Sequence, residues 1–287
     1  MTGRVRRGPI CIWILLAALL CARPVLASCG DDPAAVCDTA HGSYYIALPE
    51  TGAAGAPALL WLHGLGGSGA ASLRNRALVN PFLERGFAVI AADGSLMQGR
   101  NGRRWVFDTT RFPGARDDPA FLQEVRADAA ARFGIDADRV SLGGFSNGAF
   151  LVHYLACADP GAFARYLPVS GGFWRPHPAS CAAGPVKLFQ AHGWQDTTVP
   201  LEGRPLGGGR YLQGDIFGTL EIWRAANGCA DPQPDRAWRD GAFLRRQWHR
   251  CAPGGALDLA LFEGGHTVPD GWAAMVLDWI AATGNGP

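Results

Sequence analysis

The chain has 287 residues, of which 48% are hydrophobic and 18% charged, with a formal net charge of +1. That length and apolar content bury a sizeable core and exclude a disordered chain. No apolar run reaches the about 20 residues of a membrane-spanning helix, and a near-neutral body without a basic cluster argues against nucleic acid as a partner.

In chain order, the first feature is a leader. Arg4, Arg6 and Arg7 precede an unbroken apolar run from Ile10 to Ala22, and Val25-Leu26-Ala27 ends on a small residue. This is the pattern of a secretory signal peptide over residues 1–27, too short in its core to span a bilayer. Residues 28–287 then form the mature chain, read as one domain because no proline-rich or charged linker divides it. Leu26-Ala27-Ser28-Cys29 also resembles a bacterial lipobox, which would lipidate Cys29. Cysteine parity favours plain export. Outside the leader stand Cys29, Cys37, Cys157, Cys181, Cys229 and Cys251, an even set that reads as disulfides, and lipidating Cys29 would orphan one thiol. Neighbours in sequence are the expected partners, and a secreted or periplasmic location follows. Losing residues 1–27 removes four of the 26 basic residues, leaving 22 against 25 acidic, a net −3.

Strands are expected at Tyr44–Leu48, Ala58–Leu62, Phe87–Ala91, Val140–Phe145, Tyr166–Ser170, Val186–Ala191 and Leu257–Phe262. Several are apolar on consecutive residues, as in strands covered on both faces. Helices are expected at Pro119–Phe133, with Asp118 as N-cap and Gly134 as C-cap, and at Asn147–Cys157, Gly218–Ala226 and Asp270–Ala282. Strands alternating with helices predict an α/β fold with a mostly parallel sheet and helices on both faces.

The strand Val140–Phe145 runs into Gly144-Phe145-Ser146-Asn147-Gly148, and a helix follows. G-x-S-x-G in that context places a serine on a strained turn, its hydroxyl clear of the sheet and beside a helix N-terminus. Such a nucleophile needs a base and an orienting acid, and on this fold they follow it in the order serine, acid, histidine. His41 and His63 precede Ser146. His153 lies within the next helix, His177 in a proline-rich loop, His192 at a strand end and His249 between two cysteines. His266, in Glu263-Gly264-Gly265-His266-Thr267 between the last strand and the last helix, is the expected base. Asp196 follows the strand Val186–Ala191 at the edge where functional loops gather, and is preferred to Asp215, a helix cap, and Asp258, a strand residue. The loop His63-Gly64-Leu65-Gly66-Gly67-Ser68-Gly69 supplies backbone N–H groups for an oxyanion, with Leu65 N–H and Asn147 N–H the assigned donors. A phosphate cradle is the rival reading, but Lys187 is the only lysine in the chain and no P-loop lysine is present. No C-x-x-C or close Cys/His cluster occurs, so neither metal nor cofactor is expected.

Together these pieces resemble the α/β-hydrolase superfamily. Within it, the runs His63–Ser68, Gly144–Gly148, His192–Pro200 and Gly264–Thr267 resemble secreted polyhydroxybutyrate-depolymerase-like and feruloyl-esterase-like serine esterases. Asn227-Gly228-Cys229 and its later partner Cys251 also fit. The resemblance spans about Tyr44 to Trp279. It implies a carboxylic ester hydrolase working through an acyl-enzyme on Ser146, His266 and Asp196, with hydroxyalkanoate oligomers or feruloyl and acetyl-type esters as substrates. Trp194 stands where such enzymes often carry a small residue, and Val268 where many have Trp.

Trp105, Phe173, Trp174 and Trp194 sit in loops expected to border the cleft and could stack on a ring, though aromatics are more often core than ligand platforms. Arg100, Arg103 and Arg104 could meet a carboxylate, with a solvated loop the preferred reading. With no separate polymer-binding domain in sight, a small or oligomeric soluble ester is the expected partner, bound by a monomer. The alternatives are a serine peptidase on the same fold and a non-catalytic binding protein that keeps it.

Overall fold

Strands built almost wholly from Ala, Val, Leu and Ile have no polar face to offer water, so they belong in the middle of a sheet. The computed structural model, which describes residues 2–3, 29–109, 112–181 and 184–284, places them there. The leader read at residues 1–27 lies outside the described residues apart from residues 2 and 3. Among the described residues, Ala58–Leu62, Ala88–Ala92, Val140–Phe145, Arg165–Val169, Lys187–Gly193 and Ala256–Phe262 pair in parallel, and nearly every residue in them is buried. Ser43–Ala47 extends this sheet antiparallel on one side, followed by the two-residue strand Cys37–Asp38. On the other side the hairpin Arg236–Asp240/Phe243–Trp248 completes a ten-stranded sheet.

Alternate residues face opposite layers, as the two-residue period of a strand requires. Leu60, Leu62, Leu257 and Leu259 pack under the helices α3 (Asp118–Phe133), α4 (Asn147–Ala158) and α5 (Ile216–Ala226). Leu59, Trp61, Ala260 and Phe262 pack under α1 (Gly69–Leu73), α2 (Arg76–Glu84) and α6 (Trp272–Thr283). This is the α/β-hydrolase arrangement of a mostly parallel sheet between helices. Strand boundaries fall within two residues of those expected from the sequence.

One cap differs. Asp117, not Asp118, caps α3, accepting from Ala120 N–H. Asp118 is fully buried, accepts from Val106 N–H at 2.6 Å and pairs with Arg116 Nε at 2.7 Å. Two adjacent aspartates offered the same cap, and the guanidinium claimed the second. Gly134 ends the helix in the left-handed conformation, as expected. The cysteines pair as sequence neighbours: Cys29–Cys37, Cys157–Cys181 and Cys229–Cys251.

Because six strands run in parallel, their carboxyl ends share one edge of the sheet. His63, Gly94, Ser146, Ser170, Trp194 and Glu263 follow those six ends directly or within one residue.

Candidate active site

Ser146 stands where the strand Val140–Phe145 gives way to α4. Its φ of +54° and ψ of −118° lie where a side chain is disfavoured, so the surrounding structure must hold it. A Cβ added to Gly144 would lie 2.7 Å from the backbone of Gly148, and one added to Gly148 only 2.5 Å from the carbonyl oxygen of Leu62. Glycine at both flanking positions is therefore a packing requirement: strand, turn and helix approach more closely than any side chain permits. No side chain caps α4, so its first N–H groups and the positive end of its dipole remain directed at the serine turn.

His266 arrives from the loop after Ala256–Phe262. The Ser146 hydroxyl donates to His266 Nε2 at 2.8 Å, and Nδ1–H donates to Asp196 Oδ2 at 2.7 Å. The carboxylate selects this tautomer, since only a protonated Nδ1 can face it. Asp196 Oδ1 accepts from the N–H groups of Thr198 and Val199 at 2.9 and 2.8 Å. Burial pushes the Asp196 carboxyl upward, yet the His266 hydrogen bond, the Val199 N–H and the nearby imidazoles outweigh it, and the net shift is downward. Asp196 is thus held as a carboxylate in a nearly closed setting. Phe145 lies against the His266 ring at 4.7 Å between centroids.

The other candidates fall elsewhere. Asp215 caps α5 through Gly218 N–H. Asp258 is fully buried and bound by Arg245, His249 and Trp279. His177 lies 4.0 Å from Asp215. His153 is fully buried between Gln190 and Trp223.

His192 has a part the sequence did not suggest. It is fully buried; its Nε2–H donates to Val199 O at 2.8 Å and lies 3.6 Å from Asp196 Oδ2, while Gln190 Nε2 donates to its Nδ1 at 3.3 Å. It fastens the turn that presents the acid. The available signal was Gln190, a polar residue inside the apolar run of Lys187–Gly193.

The loop after Ala58–Leu62 lies against the serine turn, with Gly64 beside Phe145 and Ser146. Leu65 is 63% exposed. Buried His63 donates from Nδ1 to Gly64 O at 2.7 Å and accepts Gly94 N–H on Nε2 at 3.0 Å. Burial lowers its pKa, so the ring stays neutral. Asn147 opens α4, and its side chain is engaged with the backbone of Trp105.

Two of the aromatic residues expected at the cleft are core residues instead. Trp105 and Phe173 are 3% and 0% exposed; the first bonds to backbone, and the second packs between Tyr154 and Trp223. Trp174 is half-buried against Phe150. Trp194 alone of the four is exposed, at 62%. Arg103 is spent on Asp93 at 3.1 Å, and Arg104 lies over Phe112.

A cleft of about 300 Å³ adjoins His266, with Trp61, Leu78, Phe145 and Val268 as its apolar wall and Ser68, Ser72 and Asn75 as its polar one. A larger cavity, near 480 Å³, lies at the opposite edge of the strands between Asp138, Arg165 and Lys187. No serine, cysteine or histidine lines it, whereas His266 and the adjoining Phe145 border the smaller cleft. Among the described residues no group of three His, Cys, Asp or Glu side chains could hold a metal ion, and no helix is long and apolar enough to cross a membrane.

A mostly parallel sheet with a strained serine turn at its carboxyl edge is the architecture of an α/β hydrolase. Residues 46–206 match the phospholipase/carboxylesterase family, and the chain belongs to it. It is 31% identical over 157 residues to a putative esterase, NocK, of Nocardia uniformis subsp. tsuyamanensis. That match spans 55% of this chain and 44% of the relative, less than half its length. In solved structures the fold recurs in the acetyl xylan esterase of Aspergillus awamori, with a TM-score of 0.60 and 16% identity over 88% of this chain and 97% of that one. It recurs also in the Bacillus cereus carboxylesterase, with a TM-score of 0.54 and 17% identity over 85% and 96%.

Proposed function

We propose that the protein hydrolyses carboxylic esters by acyl transfer through Ser146. The observation that carries this reading is the line of two hydrogen bonds from Ser146 Oγ through His266 to Asp196. His266 takes the hydroxyl proton as Oγ attacks the ester carbonyl, and Asp196 stabilises the imidazolium that forms. The oxyanion is met by Asn147 N–H at the start of α4 and by Leu65 N–H, each contributing about 3–4 kcal/mol to the barrier reduction. His266 returns the proton to the departing alkoxide. Water, activated by the same imidazole, then cleaves the acyl-enzyme and regenerates the serine.

Within this class we propose soluble hydroxyalkanoate oligomers or feruloyl and acetyl-type esters as substrates, acted on by a monomer. The modest cleft beside His266 supports small or oligomeric esters over large solids. Residues 28–287 form the catalytic unit in this reading. Three disulfides support export to an oxidising compartment, secreted or periplasmic.

The test is hydrolysis of p-nitrophenyl esters from acetate to octanoate, methyl ferulate and a hydroxybutyrate oligomer, with Ser146→Ala in parallel. Turnover by the wild type that the variant lacks is the expected result, and the chain-length profile then ranks the substrates. Inertness of both proteins towards every ester would overturn the proposal.

A further inference from the structure

The short segment Arg103–Trp105 is bonded to both sides of the proposed oxyanion site, through groups that the proposed reaction does not use. On the serine side, Trp105 N–H donates to Asn147 Oδ1 at 2.7 Å and Asn147 Nδ2 donates back to Trp105 O at 3.3 Å. On the loop side, the indole Nε1–H of Trp105 donates to His63 O at 2.9 Å, and Gly66 N–H donates to Arg103 O at 2.8 Å. The dipeptide Gly64-Leu65 is thus pinned just before and just after. The segment is itself anchored, since Arg103 binds Asp93 at 3.1 Å and Gly94 O at 3.0 Å. At 3% exposure, the Trp105 ring is placed to hold backbone rather than to touch substrate.

Leu65 N–H and Asn147 N–H belong to different elements, a glycine-rich loop and a helix start. Glycines give the loop little stiffness of its own, so the spacing of two such donors has to be imposed from outside. We propose that Trp105 and the Asn147 side chain are positioning residues that set this spacing, with Arg103–Trp105 acting as a strut between loop and helix. The proposal rests on the acyl-transfer reading of Ser146. Preorganised donors act most strongly on the charge that develops in the transition state. Loosening the strut should therefore weaken transition-state binding while leaving substrate binding nearly intact.

Trp105→Phe keeps a buried ring and removes the bond to His63 O; Asn147→Ala removes the pair of bonds at the other end. Steady-state kinetics on p-nitrophenyl acetate would be measured beside inhibition by a trifluoromethyl ketone, which forms an oxyanion on the serine, and by its methyl ketone parent. Each variant is expected to lose about fivefold in kcat, with KM within about twofold, as befits one or two neutral hydrogen bonds. The trifluoromethyl ketone should weaken by the same factor and the methyl ketone should not. Trp105→Phe leaves the Gly66–Arg103 bond in place, but both variants loosen one continuous link between loop and helix, so the double variant should fall little below the worse single variant. An unchanged kcat in either variant with a wild-type melting temperature, or equal weakening of both ketones, would overturn the strut. Should Trp105→Phe fail to fold, Asn147→Ala decides alone. Absence of ester turnover in the wild type overturns the acyl-transfer reading, and the strut with it.

Discussion

At the residue scale, Asp196 ought to matter more for orientation than for bulk charge. Asp196→Asn keeps the volume and reverses which His266 nitrogen is protonated, so kcat should drop by about 10³–10⁴-fold with KM little changed; stopped-assay kinetics on p-nitrophenyl acetate would check it. A second effect at this scale concerns His153. Burial lowers its pKa from the ordinary value to about 4, although the hydrogen bond with Gln190 favours the charged form. A folded pKa below the unfolded one means that this ring supports folding fully above the unfolded histidine value. That support is lost as pH falls from about 6.5 towards 4, on the order of 3 kcal/mol in all. His63 and His192, also buried with lowered pKa, act in the same direction. Urea midpoints measured from pH 7 to pH 4 should decline, and His153→Gln should decline less steeply over that range.

The sequence carried Ser146, Asp196 and His266 because each sits in a motif whose chain order and strand-end placement follow from the fold. It said nothing of who holds them. The contacts of His192 with Val199 and of Trp105 with Asn147 join residues whose partners lie in other elements, and no local spacing encodes such a meeting. Trp105 reads as a loop aromatic from the sequence for the same reason: burial of a loop residue is decided by what packs over it.

At the element scale, strands with continuous apolar runs and helices of eleven residues or more were legible, and the shorter helices were not. Helix α2 carries Pro81 in its interior, which reads as a break. Pro81 occupies the sixth position of the helix, which still buries Leu78, Val79 and Phe82 opposite a polar face of Arg76, Asn80 and Glu84. The hairpin Arg236–Asp240/Phe243–Trp248 holds four arginines, and its pairing rather than its composition makes it strand. The serine turn, by contrast, is over-determined. Gly148→Ala should be among the most damaging small substitutions in the chain, because its Cβ meets the backbone oxygen of Leu62, which cannot yield as a side chain can. A loss of about 2 kcal/mol or more is expected, read as a lowered melting temperature, together with weakened activity.

At the scale of the whole molecule, the disulfides sit away from the reacting atoms and bind peripheral segments to the sheet. Cys157–Cys181 fastens the end of α4 to the loop beyond Trp174, and Cys229–Cys251 closes the stretch that contains the terminal hairpin. Replacing Cys229 and Cys251 by serine should cost about 2–4 kcal/mol, measured by thermal unfolding of the oxidised wild type against the variant. Activity at low temperature should survive, since the proposed catalytic groups lie on other loops.

Among the described residues the strand Arg236–Asp240 is the last of the ten, and no further strand pairs with its outer backbone groups. A large sheet with a bare rim is a template on which another chain can crystallise its own backbone. Here the rim reads Arg-Ala-Trp-Arg-Asp, with Arg236, Arg239 and Asp240 exposed, and at the far rim the last strand shrinks to two residues tethered by Cys29–Cys37. Charge guards one side and brevity the other. For a protein proposed to be exported, to the periplasm or beyond, out of reach of ATP-driven chaperones, colloidal solubility has to be written into the rims of the sheet itself.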